Sequence, residues 1–300
     1  MSFAKKARYA LISFCALITA ACASLNVSLP SITESPTGER LPGKIIWRDL
    51  LTNDPVASRE FYSELFGWEF ESVGKASNLR SNSAYTLIRH NGNLIGGMVD
   101  TLALNNRDDI SQWVVLMSVE DLDARVTAVT AGGGTIVAPP TDLQDRGRLA
   151  LVRDAEGALL GLLETRDGDP ADSEPEVGGF LWDELWTSDV QSASVFYNKL
   201  AGLSRDTVDI DTDQSTSPTY SLLKAGDKPR VGIMPVPLEG LDPVWVSYIR
   251  VENPAAITSR VTDLGGRVIV EAQPRPLGGE VAFIAGPSGA GIALQTWPLK

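Results

Sequence analysis

Apolar and polar positions along the chain follow two patterns that alternate in a fixed order. Residues 45–51 have the composition of a strand, and Asp54 with Pro55 has the chemistry of a helix N-terminus. From there apolar side chains recur at helical spacing up to Gly67, a residue type that commonly ends helices. Three further strand patterns follow, at residues 68–73, 83–90 and 95–100. Together these patterns predict one βαβββ module.

The same order begins again at residue 113. A strand pattern at 113–119 precedes a helical pattern at 121–131, which Gly132-Gly133-Gly134 terminates. Strand patterns near residues 135–138, 148–153 and 158–164 complete a second module. The sequence therefore predicts an α+β domain built from two βαβββ modules.

Equivalent positions in the two halves of the chain carry the same residues, which indicates that the whole arrangement is present twice. A separation of 135 relates Trp47 to Trp182, Asp54 to Asp189, Phe61-Tyr62 to Phe196-Tyr197 and Tyr85 to Tyr220. A separation of 132 relates Trp113 to Trp245, Gly133-Gly134 to Gly265-Gly266 and Gly157 to Gly289. We therefore predict two domains, 43–165 and 178–300, which form a pseudo-dimer within one chain and are joined by an acidic linker at 166–177.

Composition restricts the possible partners and chemistry. The chain has 300 residues and a formal net charge of −12. Binding to nucleic acid draws most of its affinity from Lys and Arg that neutralise phosphates, so nucleic acid is excluded as a partner. The two cysteines, Cys15 and Cys22, both lie near the N-terminus, so neither a disulfide nor a thiolate site is predicted within the domains.

Residues 1–23 have the pattern of an export signal. Lys5, Lys6 and Arg8 precede an apolar run from Tyr9 to Ala21. This run is too short for a membrane-spanning helix, which needs about 20 apolar residues. We therefore expect an exported protein on the periplasmic side of a membrane or in the cell envelope.

The end of this signal predicts a lipid anchor. The sequence LITAAC resembles a bacterial lipobox, in which Cys22 would be lipidated and would hold the protein on the membrane. Thr19 departs from that pattern, so ordinary cleavage before Ser24 is the alternative. Residues 24–42 are rich in Ser, Thr and Pro without a helical period, and we interpret them as a flexible tether.

Several motifs together resemble one superfamily. They are the helix entry with Asp54 seven residues before Phe61-Tyr62, the Leu-Phe-Gly-Trp that follows, the segment VEDLDARVTAVTAGGGTIV and the ending DAEGALLGLLET. In these features the chain resembles the vicinal oxygen chelate superfamily, which includes glyoxalase I, bleomycin-resistance proteins and extradiol dioxygenases. The resemblance covers residues 43–300. It implies two domains of tandem βαβββ modules, each with a cupped mixed sheet. We call the concave face of residues 43–165 the first cup and that of 178–300 the second cup.

The same resemblance locates the places where metal-dependent members bind a divalent ion in the cup. They correspond to Trp47 and Trp182, to the neighbourhoods of Trp113 with Val114 and of Trp245 with Val246, and to Gly161 and Ala293. None of these side chains is an ordinary metal ligand. The single histidine, His90, lies beside a turn and is interpreted as an exposed loop residue. We therefore predict no metal and no cofactor, with a carboxylate-only site for Mg²⁺ or Ca²⁺ as the alternative.

A different set of side chains is predicted to face each cup. Alternate residues of a strand share a face, so Trp47, Asp49 and Leu51 point into the first cup if Trp47 does. The equivalent set in the second cup is Trp182, Glu184 and Trp186. An indole beside a carboxylate suits a flat or cationic small molecule. The predicted ligand-binding residues are Trp47, Asp49, Trp113, Trp182, Glu184, Trp186 and Trp245.

Three functions remain open on this evidence. The first is an exported, lipid-anchored and metal-independent protein that binds a small organic ligand in its cups. The second is an enzyme of the same superfamily, such as a lyase, an isomerase or a hydroxylase- or dioxygenase-like protein, with Asp49 or Glu184 as the catalytic base. The third is a non-catalytic envelope scaffold whose cups are filled by their own aromatic side chains, with the acids bonded to neighbouring groups.

Overall fold

The computed structural model describes residues 29–73, 85–103, 111–208, 220–276 and 278–298. The predicted export signal and Cys22 lie outside these residues. Among the described residues, no helix is long and apolar enough to cross a membrane.

Each predicted domain forms two βαβββ modules in succession. In the first domain the elements are β1 (Ile45–Thr52), α1 (Pro55–Phe66), β2 (Glu69–Ser72), β3 (Tyr85–His90), β4 (Asn93–Asp100), β5 (Gln112–Ser118), α2 (Leu122–Ala131), β6 (Thr135–Asp142), a 3₁₀ turn (Gln144–Arg146), β7 (Gly147–Arg153) and β8 (Leu159–Thr165). In the second they are β9 (Phe180–Thr187), α3 (Val190–Ala201), β10 (Ser204–Val208), β11 (Tyr220–Ala225), β12 (Lys228–Pro235), β13 (Val244–Arg250), α4 (Pro254–Val261), β14 (Arg267–Pro274), β15 (Glu280–Ala285) and β16 (Gly291–Gln295).

Each domain contains one eight-stranded mixed sheet, and this confirms the α+β class. The strand order is β2-β3-β4-β1-β5-β8-β7-β6 in the first domain and β10-β11-β12-β9-β13-β16-β15-β14 in the second. At the centre of the first sheet β1 runs parallel to β4 and antiparallel to β5, and β5 is parallel to β8. The central strands therefore belong to different modules, and each sheet is shared between its two modules.

Helix ends follow the signals in the sequence. Asp54 caps α1 by accepting a hydrogen bond from the backbone N–H of Ala57 at 3.0 Å, and Asp189 caps α3 in the same way. Gly67 ends α1 with a φ of 70°, and Gly202 ends α3 with a φ of 69°. Left-handed backbone of this kind favours glycine, so α1 ends where the sequence predicted, and Gly202 is the equivalent residue of α3 at the separation of 135.

The helix-bearing faces of the two sheets pack against each other. One buried cluster joins residues of α2 and β5 with residues of α3 and β9, and another joins α1 with β13, α4 and β15. Between the sheets, the equivalent residues Arg48 and Asp183 form an ion pair, and Arg48 also lies 4.6 Å from the ring centroid of Phe180. The two cups consequently lie on the faces that point away from this shared core.

Residues 29–42, which the sequence analysis assigned to a flexible tether, pack against the first domain. Leu29 and Ile32 are buried among the side chains of the first cup. Arg40 donates hydrogen bonds to the carbonyl oxygen of Thr165, and the backbone N–H of Leu41 donates to Asp169 at 2.6 Å. The tether interpretation therefore fails for this part. Two isolated apolar side chains in a Ser- and Pro-rich stretch are enough to anchor it to an apolar face.

The linker at 166–177 is also held by polar contacts. Asp172 lies within 3.0 Å of ammonium or guanidinium nitrogens of Lys44, Lys228 and Arg230, which belong to different domains. Burial opposes ionisation of Asp172, but hydrogen bonds from Arg230, Lys228 and Lys44 outweigh it and hold its pKa well below the usual range. The linker therefore ties the two domains together electrostatically.

His90 is not the exposed loop residue that its neighbourhood suggested. The turn at Asn91 and Gly92 is present, with φ values of 49° and 79°. His90 itself is only 7% exposed, and its Nε2 donates a hydrogen bond to the carbonyl oxygen of Val177 at 2.9 Å. The linker covers this side chain, which a local sequence pattern could not reveal.

Candidate functional site in the cups

The first cup is lined as the strand alternation predicts. Trp47 and Leu51 belong to the apolar cluster of the cup, whereas Leu50 belongs to the helix-side core. Asp49 lies between Trp47 and Leu51 on the same face. Its side chain is half-buried, and Trp47 is only 1% exposed. The indole is thus part of the cup floor, and the carboxylate is the more accessible of the two groups.

A hydrogen-bonded network occupies this floor. Asp49 Oδ1 accepts hydrogen bonds from Trp47 Nε1 at 3.0 Å and from Tyr85 Oη at 2.7 Å. Arg146 Nη1 donates to Tyr85 Oη at 2.6 Å, and its guanidinium lies 4.7 Å from the ring centroid of Trp47. No hydrogen bond of the described residues involves Asp49 Oδ2. One carboxylate oxygen therefore fixes the network, and the other keeps its acceptor capacity.

A glycine on the neighbouring strand makes space for this pair. Gly97 is the residue opposite Asp49 on β4, and a Cβ there would lie 2.0 Å from Tyr85 Oη and 2.3 Å from Asp49 Oδ1. In the second domain Gly232 lies opposite Glu184, and a Cβ there would lie 2.2 Å from Tyr220 Oη. The duplicated glycine thus permits the same acid–tyrosine contact in both cups.

Burial and charge both act on the acid of the first cup. Burial raises the pKa of Asp49, while the Arg146 guanidinium and the hydrogen bonds from Tyr85 and Trp47 act in the opposite direction. Burial also raises the pKa of Tyr85. Tyr85 therefore stays protonated and donates to the carboxylate.

The second cup contains a related but fully bonded network. Trp182 donates from Nε1 to Tyr220 Oη at 3.0 Å, in the same relation as Trp47 to Tyr85. Glu184 is completely buried, and its two oxygens accept four hydrogen bonds. The donors to Glu184 are Tyr220 at 2.8 Å, Trp186 at 3.3 Å, Tyr248 and Arg275. Four bonds use the normal acceptor capacity of a carboxylate, so Glu184 has none left for a ligand.

Arg275 completes the second network. Its guanidinium pairs with the Glu184 carboxylate and also donates to Gln295. Burial disfavours the charged guanidinium, but the attraction of Glu184 outweighs burial and raises the pKa of Arg275. The second cup therefore carries a buried, self-satisfied ion pair.

Trp113 and Trp245, which the sequence analysis included among the ligand-binding residues, lie outside the cups. Trp113 donates from Nε1 to Tyr62 Oη at 3.0 Å within the helix-side core, and Trp245 donates to Tyr197 Oη at 3.2 Å. Each tryptophan packs edge-to-face on the tyrosine that it bonds. Their indoles thus hold helices against the sheet, and we remove both from the candidate site.

The positions at which the resemblance predicts metal ligands are neighbours in each sheet, but none of them carries a His, Cys, Asp or Glu side chain. Trp47, Leu116 and Gly161 are neighbours on three adjacent strands, and Trp182, Tyr248 and Ala293 are their counterparts. The middle position is therefore Leu116, two residues beyond the Val114 that the sequence suggested. Within the described residues, no group of three or more His, Cys, Asp or Glu side chains could hold a metal ion. These donor sets do not fit a resident divalent ion.

Two cavities lie near the site, and neither is lined by Trp47, Asp49, Tyr85 or Arg146. One of about 610 Å³ lies at the mouth of the first cup, between residues 30–34 and strands β2 to β4. Leu87, which also lines the cup, forms part of its wall, and Arg89 and Glu71 stand at its edge. Another cavity, of about 560 Å³, lies between the domains beneath the linker. The first has a size typical of sites for small organic molecules, which measure about 300–1,000 Å³.

Sequence reasoning missed Arg146 and Arg275. Both arise from the same connection, between the first and second strands that follow the second helix of a domain. They are not related by the separation of 132 that applies to this part of the repeat. The sequence therefore carries no repeat signal for these two arginines. Only the folded connections bring one arginine towards the acid in each domain.

Comparisons with known proteins agree with the fold. The profile of the Glyoxalase/Bleomycin resistance protein/Dioxygenase superfamily matches residues 44–162. The glyoxylase-named protein CFP32 of Mycobacterium bovis is 30% identical over 244 residues, which cover 81% of this chain and 91% of that protein. The chain belongs to this superfamily. The anthracycline biosynthesis protein DnrV of Streptomyces peucetius is 28% identical over 265 residues, covering 84% of this chain and 93% of that protein.

Solved structures of superfamily members share the architecture at low sequence identity. The Mn(II)-bound glyoxalase from Novosphingobium aromaticivorans has a TM-score of 0.56 and 15% identity, covering 86% of this chain and 83% of that one. The 2,2',3-trihydroxybiphenyl 1,2-dioxygenase from Sphingomonas wittichii has a TM-score of 0.56 and 13% identity, covering 86% and 92%. The superfamily fold is therefore retained although the expected metal positions carry different residues.

Proposed function

We propose that this superfamily member binds a flat organic small molecule in its first cup without a resident metal ion. The observation that carries the proposal is the network of Trp47, Asp49, Tyr85 and Arg146, in which Trp47 occupies a position that the superfamily resemblance assigns to a metal ligand. Asp49 Oδ2 is an acceptor for a ligand hydroxyl, and the nearby cavity has room for the rest of the molecule.

The first cup is favoured over the second by its unused bonding capacity. Glu184 already accepts four hydrogen bonds, whereas Asp49 accepts two. Arg146 also changes the expected ligand, because its positive charge offsets that of the Asp49 carboxylate and removes the net attraction for a cation. We therefore propose a flat neutral or anionic ligand in place of the cationic one that the indole and acid alone suggested.

The relatives give one indication of ligand type. DnrV is described as an anthracycline biosynthesis protein. An anthracycline aglycone is a flat polycyclic aromatic compound with hydroxyl groups and no amino sugar. Its size suits the cavity of about 610 Å³, whose lining mixes polar and apolar side chains, and its hydroxyl groups suit Asp49. We use it as the first probe.

Asp49→Asn tests the ligand contact. The Trp47 and Tyr85 donors require an oxygen at the bonded position, so the Asn amide nitrogen would replace Oδ2 and remove the acceptor that faces the ligand. We expect aglycone binding, measured by tryptophan fluorescence quenching and by calorimetry, to weaken about tenfold or more.

Glu184→Gln in the second cup is the matched control, and we expect it to leave the aglycone affinity unchanged. Unaltered affinity in Asp49→Asn, with the fold retained by circular dichroism, would rule out the first cup. If the wild-type protein binds no flat ligand at all, a non-catalytic envelope scaffold becomes the better account.

An enzymatic role is the second candidate, and one observation favours it. Burial raises the pKa of Asp49, which brings this carboxylate closer to the range of a general base. Wild type should then isomerise the hemithioacetal of methylglyoxal and glutathione, and Asp49→Asn should not. Equal rates in the two proteins, or no turnover, would reject this candidate.

We further propose export and lipid anchoring at Cys22, which rest on the N-terminal sequence pattern alone. Cys22→Ser should move the protein from the membrane fraction to the soluble fraction of the cell envelope. Membrane association that persists in this variant would argue against a lipid anchor, and retention in the cytoplasm of wild type would argue against export.

A further inference from the structure

Arg146 is a buried cation whose bonding is incomplete. It is 2% exposed; its Nε donates to the carbonyl oxygen of Pro30 at 3.2 Å and its Nη1 to Tyr85 Oη at 2.6 Å. Its Nη2 is buried and has no hydrogen-bond partner among the described residues. Buried guanidinium groups in folded proteins are normally paired with an acid and fully bonded, since an unmade bond of this kind is costly.

In the second domain the corresponding arginine is paired with an acid. Arg275, from the equivalent connection, pairs directly with Glu184 and uses its remaining Nη atom on Gln295. Arg146 has two neutral acceptors in place of such a pair, and it forms no ion pair with a carboxylate of the described residues. Asp49 interacts with Arg146 only at longer range, with Tyr85 bonded to both. In the first cup the acid and the arginine are therefore bridged by Tyr85, and the direct ion pair of the second cup has no counterpart among the described residues.

We propose that Arg146 Nη2 is the anion-receiving group of the first cup, so that the ligand carries an anionic oxygen such as a carboxylate on a flat body. This inference rests on the proposed binding function and names the ligand class. The anionic oxygen of the ligand would pair with Arg146 in the first cup as the Glu184 carboxylate pairs with Arg275 in the second. A neutral analogue offers a weaker acceptor to the same N–H group.

The position of residues 29–34 determines how the ligand reaches this group. Pro30 accepts from Arg146 Nε, and it also lines the cavity of about 610 Å³ together with Ser31 and Leu87. Pro30 thus contacts both the cavity and the guanidinium, whereas Arg146 itself does not line the cavity. Displacement of the Pro30 carbonyl would open Arg146 to the cavity, and the ligand oxygen would replace the lost acceptor.

The experiment compares 2-naphthoate with 2-naphthamide, which share a flat ring system and differ in charge. Binding of each to the wild-type protein is measured by calorimetry alongside the anthracycline aglycone. We expect naphthoate to bind about tenfold or more tightly than naphthamide, as charge-assisted hydrogen bonds imply.

Two substitutions assign this preference to Arg146. Arg146→Met keeps the apolar stem and removes the charge, and it should reduce the preference for naphthoate to about one. Arg146→Lys retains the charge with a different geometry and should keep part of the preference, which also covers the case in which Arg146→Met fails to fold. Arg275→Met is the control in the second domain, and it should leave the preference unchanged.

The outcomes separate this inference from the proposed function. If the aglycone binds but naphthoate and naphthamide bind equally, the site exists and Arg146 Nη2 bonds only to water, which overturns the inference alone. If neither naphthalene probe nor the aglycone binds, both proposals fail. A preference that survives in Arg146→Met would place the anion elsewhere and would also overturn the inference.

Discussion

At the scale of single residues, the two cups contain the same residue types in different hydrogen-bonding arrangements. Each has a tryptophan, an acid, a tyrosine and an arginine in contact, and each has a glycine that lets the acid meet the tyrosine. In the second cup the acid and arginine bond to each other. In the first cup Tyr85 is bonded to both, which leaves Asp49 Oδ2 and Arg146 Nη2 without partners among the described residues. The bonding between the acid and the arginine thus separates a structural ion pair from a candidate binding site.

The raised pKa of Asp49 gives a pH prediction. Its ordinary value is 3.8, and burial raises the pKa in the folded protein. An acid whose pKa is higher in the folded state than in the unfolded state favours folding when protonated, and it loses that contribution as pH rises between the two values. We expect the free energy of unfolding of wild type to fall relative to that of Asp49→Asn as pH rises above 3.8, and the difference to become constant once Asp49 is ionised.

Urea unfolding of both proteins from about pH 4 to about pH 8 measures this difference. A difference that changes in favour of wild type with rising pH would contradict the account, because it would mean that the folded protein stabilises the ionised carboxylate.

At the scale of elements, most of the fold could be predicted from periodicity and capping residues. The pairs Asp54 with Gly67 and Asp189 with Gly202 mark both ends of their helices within one residue. Cup-facing positions followed from strand alternation. Trp113 and Trp245 were misplaced because a repeated aromatic residue on a strand looks the same whichever face it occupies. Residues 29–42 were misread because their contacts are long-range, and a Ser- and Pro-rich pattern describes only local preference.

The N-terminal segment should therefore contribute to stability. Ile32 is 3% exposed in the first cup, so Ile32→Ala should lower the free energy of unfolding by about 2–5 kcal/mol, the usual cost of emptying a buried aliphatic site. Ser35→Ala is the control, since Ser35 is exposed and should be nearly neutral. Denaturant unfolding measures both. If Ile32→Ala changes the free energy of unfolding as little as the control does, the packing of residues 29–34 on the first cup does not stabilise the protein.

At the scale of the whole molecule, the packing of two copies back to back leaves their cups on opposite sides. The shared helix layers and the Arg48–Asp183 pair fix the two sheets to each other, so the cups can diverge without disturbing the core. Gly97 and Gly232, both permitting the acid–tyrosine contact, are retained in the two copies. The positions that the superfamily resemblance assigns to metal ligands are apolar in the first domain, at Trp47, Leu116 and Gly161. We therefore propose the first cup as an organic binding site that needs no ion.

Metal content and ligand binding measured on the same sample test this claim most directly. Protein comprising residues 24–300, purified without chelator and exposed to Ni²⁺, Zn²⁺, Fe²⁺ and Mn²⁺, would be analysed for bound metal and titrated with the anthracycline aglycone before and after treatment with a chelator. We predict no stoichiometric metal and an aglycone affinity that the chelator leaves unchanged. One bound ion per domain, or binding that the chelator abolishes, would contradict the account.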